Sequence, residues 1–143
     1  MTGTNRENRR TETEMNAKSK LPEYRHNYAD QIEYCSKLRN LHGFESVFSV
    51  SGAVYNLARG ERFLPTVAGK DVMMRFDYDG GFGNRVVGDV LINPTWLEVW
   101  AAADKAMRES GDSHHMFFEC VYFRRMVRQG NHEMMVFELG FGS

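Results

Sequence analysis

The residues best suited to chemistry form one short run, Asp112-Ser113-His114-His115, with Glu119 four positions further on. An imidazole that titrates near neutrality, a carboxylate to orient it and a hydroxyl are the ingredients of nucleophilic or acid–base catalysis. The spacing argues against a ready-made triad. Contiguous residues rarely converge as nucleophile, base and orienter, and Ser113 lacks the G-x-S-x-G setting of a nucleophile elbow. Adjacent His114 and His115 on a strand point to opposite faces, whereas His115 and Glu119 share a face but lie about 13 Å apart along it, too far to chelate one ion. A metal centre would need distant help from His42, Asp89 or His132. No metal and no cofactor is therefore expected, and no catalytic residue is assigned.

A second run, Gly80-Gly81-Phe82-Gly83-Asn84, suggests a phosphate cradle, but it lacks the G-x-G-x-x-G spacing and precedes a strand pattern where that fingerprint needs a helix. A hairpin loop explains it more simply. Asp77, Asp89, Glu119 and Glu138 could supply paired carboxylates if strand order brought two of them together. Two alternatives stay open on these residues. One is a small-molecule or nucleotide site between the sheet and the loops Gly80–Asn84 and Asp112–His115; the other is a hydrolase-like enzyme using histidine and carboxylate groups on a sheet face.

The elements that must position these residues are readable from periodicity. Tyr28, Ile32, Cys35 and Leu38 recur at helical spacing, with Gly43 at the C-terminal end. Phe44 to Val50 alternates as a strand, with Phe44, Ser46, Phe48 and Val50 on one side. The stretch 51–66 is the least legible, and a short helix near Ala53 to Arg59 is favoured. Val72 to Tyr78 and Arg85 to Ile92 alternate as a second hairpin across the glycine-rich loop. Thr95-Trp96-Leu97-Glu98 has the form of a capping box, followed by a stripe of Trp96, Trp100, Ala103 and Met107.

The last thirty or so residues organise the rest as one long hairpin that turns at Gly130-Asn131. A two-residue turn there predicts Arg128 opposite Glu133, Met126 opposite Met135, Arg124 opposite Phe137, Tyr122 opposite Leu139 and Cys120 opposite Phe141. That register leaves Arg124 unexplained on an apolar face. The expected fold is α+β, an antiparallel sheet of about five strands with two main helices packed on one face. The covered face would carry Phe118, Cys120, Tyr122, Met126, Met135, Phe137, Leu139 and Phe141 with Val72, Met74, Phe76, Val90 and Ile92. The opposite face would show Val121, Phe123, Val127, Met134 and Val136 among Glu119, Arg125 and Glu138, and no helix is left to cover it. Arg125 and Glu138 sit diagonally there and would form an internal salt bridge.

Composition bounds the function class. The 143 residues, 42% of them hydrophobic, suffice for one domain with a real core. Residues 1–20 hold no aromatic residue, with five basic and three acidic side chains, and are expected to be a disordered polar tail ahead of a single domain over 21–143. The net charge of −1 disfavours a nucleic-acid backbone partner. Neither an apolar run of about 20 residues nor a secretory signal is visible, so a cytoplasmic setting is expected, with Cys35 and Cys120 reduced. Taken together these features predict a small non-enzymatic protein that binds another macromolecule. It would act as a homodimer through the uncovered mixed face, with Phe123, Arg125, Met134, Glu138, Glu119 and His115 as its contact residues.

Overall fold

Local signals at both ends set the first helix. Asn27 takes the cap position and its side chain accepts the Asp30 N–H at 2.8 Å, while Gly43 closes the helix at φ 69° with its N–H on the Arg39 carbonyl. This helix, α1, spans Tyr28–His42 in a computed structural model that describes residues 27–80, 84–112 and 114–143. Its buried residues are Tyr34, Cys35 and Leu38, whereas Tyr28 and Ile32 are 77% and 50% exposed. The apolar spacing therefore marks only part of the buried stripe correctly. The chain divides after Gly43 into two units, and everything below concerns the second, residues 44–143. The expected polar tail lies outside the described residues.

The second unit contains β1 (Val47–Phe48), α2 (Val54–Ala58), β2 (Met73–Asp79), β3 (Arg85–Val86), β4 (Val90–Ile92), α3 (Trp96–Ser110), β5 (Phe117–Gln129) and β6 (His132–Gly142). The short helix favoured near Ala53 to Arg59 is present. The sheet has six strands in the order β1-β5-β6-β2-β3, with β4 also on β2. It is mixed rather than antiparallel, because β1–β5 and β2–β6 run parallel. The reason is the route of the chain. After β4 the crossover through α3 brings β5 in beyond a gap, and the hairpin folds β6 back into that gap beside β2, parallel to it. The predicted second hairpin forms, but its return limb breaks into β3, opposite Tyr78 and Asp79, and β4, opposite Met73 to Arg75. Between them the chain leaves the ladder at Gly88, where a Cβ would run into the Phe76 carbonyl.

The core lies between α3 and the sheet face carrying Met74, Phe76, Phe118, Phe137 and Leu139, each no more than 5% exposed. Alternation places Leu91 on this face, opposite Met74, and turns Val90 and Ile92 outward, where they are 42% and 56% exposed. The expectation that Val90 and Ile92 are core is thereby corrected. The capping box is real: Thr95 Oγ1 accepts the Glu98 N–H at 3.2 Å and the Glu98 carboxylate accepts the Thr95 N–H at 3.0 Å. Of the stripe, Trp100, Ala103 and Met107 are buried, and the Trp100 ring meets Phe44 and Phe48. Phe63 wedges edge-on against Phe76, Trp96 and Phe137, closing the core from the 51–66 stretch.

One polar anchor fastens this layer. Asp104, fully buried in α3, accepts the backbone N–H groups of Glu45 and Ser46 at 2.8 and 2.7 Å and the Ser46 hydroxyl at 2.7 Å. Trp100 Nε1 donates to the same hydroxyl at 3.0 Å, and Arg108 pairs with Asp104 at 2.7 Å. Asp104 Oδ1 takes all three of the hydrogen bonds from Glu45 and Ser46 and its Oδ2 faces the Arg108 guanidinium, which pins the approach to β1 onto the helix.

The long hairpin follows the predicted register only near its turn. Gly130 has φ 62°, and Arg128 faces Glu133 and Met126 faces Met135 as expected. Two irregularities then intervene, at Arg124 and at Glu119. Each inserts one residue and so flips every side chain beyond it to the other face. Phe123, not Arg124, faces Phe137, and their rings are 5.7 Å apart. Cys120 and Tyr122 move to the opposite face, aligned with Gly140 and Glu138, and the second bulge returns Phe118 to the core. The bulge at Arg124 resolves the charged residue that a regular ladder would have driven into an apolar face.

Candidate functional site

Two regions gather the residues singled out above. The first surrounds Asp112, in the turn between α3 and β5. Gly111 ends α3 at φ 73° and delivers Asp112 beneath the chain, where its side chain is 1% exposed. Asp112 Oδ1 accepts the His114 and His115 N–H groups at 3.0 and 3.3 Å, and Oδ2 accepts the Tyr78 hydroxyl at 3.2 Å. His115 Nδ1 lies 2.7 Å from the same Oδ2. A carboxylate at Nδ1 holds the proton there, so the neutral ring keeps Nε2 as its acceptor, on a side chain that is 42% exposed. The electrostatics agree with this arrangement. Burial pushes the Asp112 carboxyl upward, but the hydrogen bonds from His115, the His114 N–H and Tyr78 outweigh it and hold the group below the ordinary carboxylate range. Burial, reinforced by the Asp112 charge, pushes the Tyr78 hydroxyl up to about 12.

The glycine-rich loop is anchored next to this turn. Asn84 Nδ2 donates to the Ser110 carbonyl at 3.1 Å, and a Cβ on Gly80 would press on Ser110. The structure thus brings Asp112 and His115 near both ends of the loop 80–84. Gly81, Phe82, Gly83 and Ser113 lie outside the described residues. An open cavity of about 400 Å3 flanks Asp112, lined also by Glu45, Met107, Arg108, Gly111 and Met116. Glu119 is not part of this cluster: its carboxylate lies against Gly142, where a Cβ would overlap it.

The second region is the outer edge of β5. β1 covers only Phe117 and Phe118, whose neighbourhood is fixed by Val47 N–H to the Met116 carbonyl and Ser49 N–H to the Phe118 carbonyl. From Glu119 to Gln129 no described strand pairs with this edge. Tyr122, Phe123 and Met126 are 55%, 53% and 49% exposed along it, interspersed with the exposed arginines Arg124, Arg125 and Arg128. Phe123 and Arg125 belong here, as does Glu119 at its proximal end. Met134 does not, being fully buried.

Glu138 has a different role from the one expected. It pairs with Arg85 at 2.9 Å, not with Arg125; Arg125 keeps its expected place opposite Val136, and the Arg124 bulge puts Tyr122 rather than Phe123 opposite Glu138. Arg85 also approaches Asp77, a fully buried carboxylate that Arg75 engages with two hydrogen bonds of 2.9 and 2.8 Å and to which Gly88 donates its N–H at 3.0 Å. Burial pushes Asp77 upward, but Arg75, Gly88 and the Arg85 charge prevail and hold it below the ordinary range. Asp77 is engaged on both oxygens, which explains how the loop at Gly88 is held off the ladder, whereas Glu138 Oε2 is buried without a hydrogen-bond partner among the described residues.

Neither Tyr78 nor Asp104 stood out in the sequence. Tyr78 falls on the apolar side of an alternating strand, and its buried hydroxyl, which needs a partner, is the signal that leads to Asp112. Among the described residues no group of three or more histidine, cysteine or carboxylate side chains converges to hold a metal ion, and no helix is long and apolar enough to cross a membrane. Cys35 and Cys120 are both free thiols; Cys35 is buried, and burial pushes its thiol up to about 11. No family model, curated protein or solved structure matches the chain.

Proposed function

We propose that this chain is a non-enzymatic binding protein that takes up another polypeptide along the outer edge of β5. The observation that carries this reading is the length of edge from Glu119 to Gln129 left without a described strand, bordered by exposed Tyr122, Phe123 and Met126. An edge strand presents backbone donors and acceptors to any incoming strand, and natural proteins blunt or cover such edges when they are not used. The two bulges leave Cys120 to Phe123 as a regular stretch between them. The proposed contact surface is thus an edge with Phe123, Arg125 and Glu119 around it, rather than a sheet face that would also include Met134, Glu138 and His115. Two free cysteines fit a reducing, cytoplasmic setting. Phe123→Arg tests the reading: association measured by native mass spectrometry should weaken, while circular dichroism shows the chain still folded at a melting temperature lowered by the loss of the Phe137 ring contact. Unchanged association would contradict it.

A second reading is favoured by one observation, the convergence of the loop ends Gly80 and Asn84 with the Asp112–His115 pair. His115 Nε2 held by a buried carboxylate is a proton acceptor suited to a small polar ligand or to acid–base chemistry. Under that reading a metabolite panel should raise the melting temperature of the native chain but not of His115→Ala. A panel without effect on the native chain would remove it.

A further inference from the structure

The charges and bulges along the free edge specify what occupies it. We infer that the strand received by β5 is the β5 of a second copy of this chain, running antiparallel about a two-fold axis at Tyr122. This rests on the strand-addition reading above and names its partner.

Backbone direction comes first. Met116 and Phe118 turn their carbonyls towards β1, and therefore towards the outer edge. The extra residue at Glu119 shifts the alternation by one, so Val121 and Phe123 turn their backbone groups outward in the stretch before the Arg124 bulge. An antiparallel partner must meet outward groups with outward groups. Placing Tyr122 opposite its own copy does so, because Val121 then faces Phe123 of the second copy and Phe123 faces Val121, giving reciprocal backbone pairs on both sides of the axis.

Side-chain chemistry selects the same register. Arg125 lies two rungs from Tyr122 on one side and Cys120 two rungs on the other, so the axis sets Arg125 opposite Cys120 of the second copy with the bulged Glu119 beside it, twice by symmetry. Arg125 and Glu119 lie on one sheet face: Arg125 is aligned with Val136, and the Glu119 carboxylate lies over Gly142, which shares that face with Val136 and Glu138. A shift of the axis to Arg124 or Arg125 would set each arginine against itself, and like charges directly opposite are destabilising. A shift towards Cys120 would drive Arg124 of one copy against Phe118 of the other, whose outer edge β1 already occupies. The register at Tyr122 satisfies backbone, charge and the limit set by β1 together.

Charge reversal tests it on the full chain. Sedimentation velocity over a concentration series should show a dimer, with Glu119→Arg and Arg125→Glu each raising the dissociation constant about tenfold and the double reversal restoring it. Circular dichroism should show all three variants folded, since both side chains are exposed. Val121→Pro removes an outward N–H without costing a β5–β6 bond and should abolish the dimer. A dimer insensitive to both single reversals but broken by Val121→Pro would overturn this register and leave strand addition standing. A dimer that survives Val121→Pro as well would overturn both. A monomer at every concentration would overturn self-pairing, leaving strand addition to the Phe123→Arg test with a different partner.

Discussion

The buried carboxylates are where single residues have the largest consequences. Asp77 and Asp112 are both held below the ordinary carboxylate range in the folded chain, against ordinary values in the unfolded one. The unfolded state therefore binds protons first as pH falls, and the stability they contribute is complete above about pH 4 and is lost as pH drops through their folded values. Acid titration followed by circular dichroism should show stability falling from about pH 4 downward, and Asp77→Asn should flatten that dependence. The same substitution at neutral pH leaves Arg75 without its charge partner and should cost about 3 kcal/mol or more in urea unfolding. Asp104→Ala should be similarly damaging, because it leaves the buried N–H of Ser46 and its hydroxyl unsatisfied.

Asp112 illustrates how much of a site can be legible before geometry is known. Asp112-Ser113-His114-His115 was visible as a chemical run, and Asp112 and His115 do pair, at 2.7 Å. The pairing happens because the chain is still in a turn there, not in a strand, so the strand rule that separates neighbouring side chains does not apply. Tyr78, the third member, is supplied by β2, and contacts between residues so distant in sequence leave no local spacing to read.

At the scale of elements, the helices and turns were legible and the bulges were not. Thr95 and Glu98 announce the start of α3, and Thr95→Ala should cost about 1 kcal/mol in thermal or urea unfolding. Gly130-Asn131 announces the hairpin and fixes the register as far as Arg125. Beyond that point one inserted residue inverts the faces, and the only trace of it in the sequence is that a regular ladder places Arg124 among apolar residues. Deleting Arg124 should restore straight pairing and carry Phe123 off the Phe137 ring. Loss of the Phe123–Phe137 ring contact by nuclear Overhauser measurements, together with a lower melting temperature, is the expected outcome. Val90 and Ile92 were misassigned for a related reason: Val87 to Asp89 leave the ladder, held off by Asp77 and Gly88, and alternation counted across that break is unreliable.

For the molecule as a whole, an α+β fold with a long C-terminal hairpin follows from the pattern of elements, but the strand order does not. Insertion of β6 between β5 and β2 is what makes the sheet mixed, and it depends on contacts between residues some sixty apart, such as Phe76 with Phe137. Among the described strands, the same topology leaves β5 on the outside with β1 beside its first residues. The proposed contact surface accordingly lies along an edge, where the sequence pattern pointed to a face.

Amide hydrogen exchange across a dilution series reads that edge directly. If β5 takes up a second β5, the amides of Val121 and Phe123 should gain protection as concentration rises, while those of β6 that bond to β5 stay unchanged. Protection at Val121 and Phe123 that is the same at every concentration would contradict the account.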